Sequence, residues 1–137
     1  MKVRQAPELW RKFLFIAPVS GLGAVTRAPI GVLRSRPDTR EQLERAMREV
    51  LAVARAHGVG LPDDAVEETL AFTDSLPEDG TTSMQRDIVA GRPSELESQS
   101  GAVVRLGREQ GVATPVHDSI YQALLPLEAR ARGESAR

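Results

Sequence analysis

TTSMQRDIVAGRPSE, residues 81–95, reads as two helix starts joined by a break. Thr82 followed by Gln85 has the spacing of a capping box, in which the hydroxyl accepts an early helical N–H and the glutamine reaches back to the cap. Ser94 and Glu97 repeat that spacing. Between them Gly91, Arg92 and Pro93 should stop the first helix, because glycine takes the left-handed position after a helix and proline cannot continue one. On one straight helix Ser83 and Glu95 would be about 18 Å apart. A break at 91–93 folds them back toward one site, each near a helix N-terminus where free N–H groups favour an anion. The same residues also read simply as helix caps.

Upstream, the first helix begins near Pro7 or Glu8. Leu9, Trp10, Phe13, Leu14, Phe15, Ile16, Ala17 and Val19 are apolar almost all round, the pattern of a helix buried on most faces. Pro18 should kink or end it, and Gly21 and Gly23 continue the punctuation. Lys12 is the one lysine on this apolar segment. Buried, it would be a usable proton donor with a depressed pKa; otherwise it snorkels to the surface. A short helix is expected over 28–33 behind Pro29.

The clearest helix follows, with Asp38 as N-cap and Glu41 as its partner. Leu43, Ala46, Met47, Val50, Leu51, Val53 and Ala54 make its apolar stripe. Glu41, Glu44, Arg45, Arg48, Glu49 and Arg55 read as a solvated face. Gly58 supplies the C-terminal stop, with His57 just before it. Residues 62–64 open another helix with Val66, Leu70, Ala71 and Phe72 inward, ending before Pro77. Residues 78–80 make a turn into the central stretch. After Glu95 a helix should run to about Gln110, where Gly101 and Gly107 predict close approach of a neighbouring backbone. Gly111 ends it. Thr114 caps the last helix, Pro115 is its first residue, and Ile120, Tyr121, Leu124, Leu125 and Leu127 form its stripe. Residues 129–137 read as a frayed tail. With no alternating strand segment and no repeat, the expectation over 1–137 is one all-α domain, a bundle of six or seven helices.

The 137 residues are 41% hydrophobic, 27% charged and 4% aromatic, with net charge −1 and no cysteine. That balance gives no case for nucleic acid or a membrane surface as partner. The lack of cysteine excludes a disulfide framework and thiolate metal sites, and with only His57 and His117 no metal site is expected. No apolar run reaches the roughly eighteen residues of a membrane span. The first eight residues carry positive charge without a secretory apolar core, so the expected compartment is cytoplasmic.

Four segments, in this order and spacing, resemble the C-terminal domain of the ketopantoate reductase (2-dehydropantoate 2-reductase) family. They are Leu9-Trp10-Arg11-Lys12-Phe13, then Thr82-Ser83-Met84-Gln85-Arg86-Asp87-Ile88, then Gly91-Arg92-Pro93-Ser94-Glu95-Leu96-Glu97, then Gly111-Val112-Ala113-Thr114-Pro115. The resemblance runs from about Leu9 to Leu127. It implies a helical bundle of the 6-phosphogluconate dehydrogenase C-terminal type, which in the family follows a Rossmann domain holding NADPH. It also implies roles: Lys12 matches the catalytic lysine that protonates the ketone oxygen, Ser83 the serine that binds substrate, and Glu95 the glutamate that holds the substrate end of the site. Ser20 stands where the family carries a substrate-orienting asparagine. Two further family asparagines are replaced by Ile16 and Ile30, which cannot hydrogen-bond through their side chains.

No strand followed by Gly-Xaa-Gly-Xaa-Xaa-Gly is present, and Gly21 and Gly23 lack the third glycine. The expectation is therefore a substrate-binding and dimerisation domain of an NADPH-dependent reductase of 2-oxo acids, of the pantothenate-biosynthesis type. It should bind no cofactor and be inactive alone, with a Rossmann domain or partner chain supplying the rest. The alternative is a stand-alone helical interaction module that has lost catalysis. Either way a homodimer is expected, since Trp10, Phe13 and Phe15 would otherwise want cover from a partner.

Overall fold

A computed structural model describes residues 7–134. Its elements are seven helices: α1 (Pro7–Thr26), α2 (Ile30–Ser35), α3 (Pro37–Ala56), α4 (Ala65–Asp74), α5 (Ser83–Val89), α6 (Ser100–Glu109) and α7 (Pro115–Ala131). No strand occurs among the described residues, as the sequence pattern predicts. The first six residues and 135–137, part of the expected tail, lie outside the described range.

The bundle is built around α1, which packs against each of the other six helices. That is the structural meaning of a helix apolar on nearly every side: it has no solvent face to spare over most of its length. Residues 17–24 are all buried. Of the two expectations at Pro18, a kink or an end, the end is not found. α1 continues through Pro18, Gly21 and Gly23 to Thr26. The missing hydrogen bond at Pro18 is tolerated because the surrounding helices hold the backbone in place from all sides. The two glycines do a different job. A Cβ on Gly21 would lie 2.8 Å from Ile120 Cγ2 of α7, and one on Gly23 would collide with the Gln85 carboxamide of α5. They let α7 and α5 approach the α1 backbone.

Trp10 is also a correction. It is buried inside the domain rather than waiting for a partner. Its indole packs edge-on to Phe13 and stacks on His57, with ring centroids 5.6 and 6.4 Å apart. His57 Nε2 in turn lies 3.0 Å from the Leu106 carbonyl oxygen of α6. Phe13 and Phe15 are half-buried.

Three helix stops fall where glycine predicts them. Gly58, Gly91 and Gly111 all have positive φ. After each, the next N–H bonds back across the last turn: Val59 to Ala54, Arg92 to Asp87 and Val112 to Gly107. Helix starts agree less well. α3 begins at Pro37 with Arg36 as N-cap, so Asp38 lies inside the first turn. There it pairs with the Arg36 guanidinium at 2.9 Å, and its carboxyl is held below the usual range by that bond. Glu41 pairs with Arg45 instead of closing a box. α4 turns Val66 and Leu70 inward, but Ala71 and Phe72 are exposed. Leu127 is exposed as well, and α7 runs to Ala131, well into the expected tail.

Glu49 leaves the solvated face assigned to it. It reaches the start of α7, where its carboxylate accepts the Val116 N–H (2.8 Å), the His117 N–H (3.1 Å) and a His117 ring hydrogen through Nδ1 (2.9 Å). Thr114 is the α7 N-cap residue by backbone, but its hydroxyl bonds Asp118, so Glu49 supplies the acceptors.

Candidate active site

Lys12 sits in the second turn of α1 with an exposed side chain. Of the two sequence expectations, the surface position is the one found. It lines a concavity of about 640 Å³ between α1 and α4, whose walls include Phe15, Ile16, Thr69 and Phe72. Arg11 and Glu68 face each other at its edge, 3.7 Å apart. Phe15 and Phe72 meet edge to face with centroids 5.1 Å apart. Lys12 thus stands against apolar surface with its ammonium in the open, the arrangement long cationic side chains adopt.

Ser83 is the first residue of α5 and is exposed. Its neighbour Thr82 is the cap: the Thr82 hydroxyl accepts the Gln85 N–H at 3.3 Å. The reciprocal half of the expected capping box is missing. The Gln85 carboxamide instead donates to the Ala28 carbonyl at 3.0 Å and lies over Gly23. It fixes the start of α5 against the C-terminal half of α1. Lys12 and Gly23 are eleven residues apart, which is about 20° around the helix and about 16 Å along it. Lys12 and the α5 contact therefore share one side of α1, about three turns apart.

Glu95 lies beyond the Gly91 reversal and is exposed. The expected second helix start is corrected: residues 95–99 are bend and turn, and α6 begins at Ser100. Glu95 is consequently not at a helix N-terminus. Its carboxylate accepts the Ser98 hydroxyl at 2.7 Å. Ser94 is not the expected cap with Glu97 either. It is buried, and its side chain is bound by Glu128 of α7. Glu97 accepts from Tyr121 Oη and Arg105. Burial and the adjacent Glu97 raise the Tyr121 pKa above its ordinary value.

Ser20 is fully buried, and its hydroxyl has no hydrogen-bond partner among the described residues. Lys12, Ser20, Ser83 and Glu95 make no recorded hydrogen bond to one another. The structure brings Lys12 and Ile16 into one concavity and seals Ser20 inside, while Ser83 and Glu95 are exposed and do not line that concavity.

Two polar groups escaped the sequence reading. One is Glu49, already described. The other is Glu128, a buried carboxylate inside the stretch taken as approaching a tail. The signal available for Glu128 was its spacing to Arg132, four residues on in a helix. Nothing local marks Glu49.

Residues 5–128 match the family described as "Ketopantoate reductase PanE/ApbA C terminal". The chain belongs to this family. It is 39% identical over 122 residues to a 2-dehydropantoate 2-reductase of Mycobacterium tuberculosis, a match that takes in 89% of this chain and 39% of that protein. A Pyrobaculum aerophilum 2-dehydropantoate 2-reductase is 33% identical over 90% of this chain and 44% of its own length. Among solved structures, a dimeric ketopantoate reductase from Staphylococcus aureus superposes with a TM-score of 0.86. It is 25% identical, over 95% of this chain and 45% of that one. The ketopantoate reductase C-terminal domain is thus the extent of the match, and the chain spans about two fifths of the length of these curated relatives. No described helix is long and apolar enough to cross a membrane, and no described cluster of His, Asp or Glu is arranged to hold a metal ion.

Proposed function

We propose that this domain is the substrate-binding half of a reductase that converts a small 2-oxo acid to a 2-hydroxy acid with NADPH. The observation that carries the reading is Lys12, an exposed cation beside an apolar concavity in a domain matched to the ketopantoate reductase family. A carbonyl oxygen that becomes an alcohol must take up a proton. An ammonium held within hydrogen-bond reach can donate it and stabilise the charge that develops beforehand. Ser83 offers a hydroxyl to the substrate carboxylate, and Glu95 an acceptor to a substrate hydroxyl or to the lysine. Ile16 beside Lys12 favours a substrate whose nearest substituent is apolar. Ser20 takes part only from behind that wall, since its hydroxyl is buried.

The described residues include no sheet and no glycine-rich turn between strand and helix, so they do not fit a dinucleotide. The reading assigns NADPH, whose chemistry is hydride donation, to the part of the relatives' length outside the match. It also assigns a homodimer contact to this domain, as the Staphylococcus aureus relative is described as dimeric. Activity should appear when this chain is joined to the dinucleotide-binding half of the Mycobacterium tuberculosis relative. Lys12→Met should then lower kcat by about 10²–10⁴, the usual worth of a general acid. Unchanged turnover in Lys12→Met, or micromolar NADPH binding to this chain alone by calorimetry, would overturn the reading.

A further inference from the structure

We propose that Glu128 and Arg132, one turn apart at the end of α7, form a clamp whose task is to position Glu95. This rests on the reading of Glu95 as a substrate contact. The clamp closes on Ser94, the residue immediately before it. Glu128 accepts the Ser94 backbone N–H at 3.0 Å through Oε2 and the Ser94 hydroxyl at 2.6 Å through Oε1. Arg132 donates to Glu128 Oε2 at 2.6 Å and to the Ser94 carbonyl at 3.0 Å. Every polar group of Ser94 is therefore held by one pair of side chains 34 or more residues further along. Ser94 Oγ also accepts the Leu96 N–H at 3.2 Å, and Leu96 is fully buried. Glu95 is thus fixed on both sides while its own carboxylate faces solvent.

The chemistry of the pair argues for more than packing. Glu128 is 4% exposed. Taking a carboxylate that far out of water is costly, and an apolar residue would fill the space more cheaply. What the carboxylate provides is two oriented acceptors, and the guanidinium a donor in fixed geometry beside them. Together they set the direction of a backbone segment that belongs to no helix. The turn at 95–99 has no regular ladder to orient it; Leu96 and the bonds of Glu97 to Tyr121 and Arg105 hold its far side, and the clamp is what holds the side that leads into Glu95.

Two measurements test this. The first is amide hydrogen exchange by NMR on the 137-residue chain at neutral pH, comparing wild type with Glu128→Gln and Arg132→Gln. Exchange at Ser94 and Leu96 should rise at least tenfold, while amides of Leu14 in α1 and Val50 in α3 keep their rates. Unchanged exchange at Ser94, or an equal rise at all four, would overturn the clamp. If Glu128→Gln fails to fold, Arg132→Gln, which leaves the carboxylate in place, reads the same amides. The second is steady-state kinetics of the reconstituted reductase with 2-dehydropantoate. Glu128→Gln should raise KM about tenfold, and the effect should vanish in a Glu95→Gln background. Additive effects of the two changes would make Glu128 merely structural and overturn the positioning role. If Glu95→Gln alone leaves KM and kcat unchanged, the role of Glu95 falls with it, and the exchange data still decide whether the clamp exists.

Discussion

At the scale of single residues, the positions that mattered most are those whose partners lie far away in the chain. Ser94 has the spacing of a cap, yet its hydroxyl goes to Glu128. A local reading sees the four residues around a serine and cannot see a carboxylate 34 positions on. Lys12 was legible, because a cation on an apolar helix stands out without knowledge of the fold. Glu128 also makes a prediction about acid. Burial pushes its carboxyl up, but the Ser94 hydroxyl and N–H and the Arg132 guanidinium outweigh that, and its pKa lies below the ordinary value near 4.5. A carboxyl whose pKa is depressed on folding stabilises the native state above the unfolded pKa and loses that contribution as pH falls through the folded one. The stability gap between wild type and Glu128→Gln should therefore hold from neutral pH down to the glutamate range and narrow below it. Urea titrations at a series of pH values would show this; a gap that widens in acid would contradict it.

At the scale of elements, the central place of α1 was readable and the starts of several neighbours were not. The apolar circumference of α1 announces a central helix, and it packs on all six others. Pro18 misleads because its helix-breaking tendency is a property of an isolated helix, whereas here tertiary packing holds the turn. The start of α7 shows a similar substitution of tertiary for local structure. Its first N–H groups are accepted by Glu49 from α3. Glu49→Ala would leave those two donors and the His117 ring N–H without their acceptor in a partly buried place. A loss of about 2–4 kcal/mol is expected, from the cost of stranded donors and of a lost cap. Chemical denaturation would measure it, and a loss below about 0.5 kcal/mol, typical of surface changes, would mean water replaces the carboxylate. Glu67→Ala, an exposed member of the Arg48 cluster, is the control and should stay within that surface range.

At the scale of the whole molecule, the expectation of an apolar first helix in need of a partner changes its basis. Trp10 is satisfied internally. Among the described residues that remain outside are Leu9, Val25, Phe72 and Val89, each at least 44% exposed, together with a groove of about 780 Å³ between α3 and α7 that Val25 and Ile120 help to line. Surfaces of that kind on a small domain favour association. Sedimentation velocity should show dimer at tens of micromolar, roughly the range of weak self-association. A single monomeric boundary there would remove the homodimer from the proposed function without touching Lys12.

The placement of α1 sets the order in which this domain can become stable. Within this domain α1 is made before the six helices it packs against, so its apolar surface exists before its cover does. Its contact at Gly21 comes from Ile120 of α7, about a hundred residues later. A fragment ending at α3 can cover α1 only in part, since the faces for α4 to α7 stay open until those helices are made. The native state should then open as one cooperative unit: proteolytic removal of α7 would not trim the fold but release α1 into solution as a sticky, aggregation-prone segment.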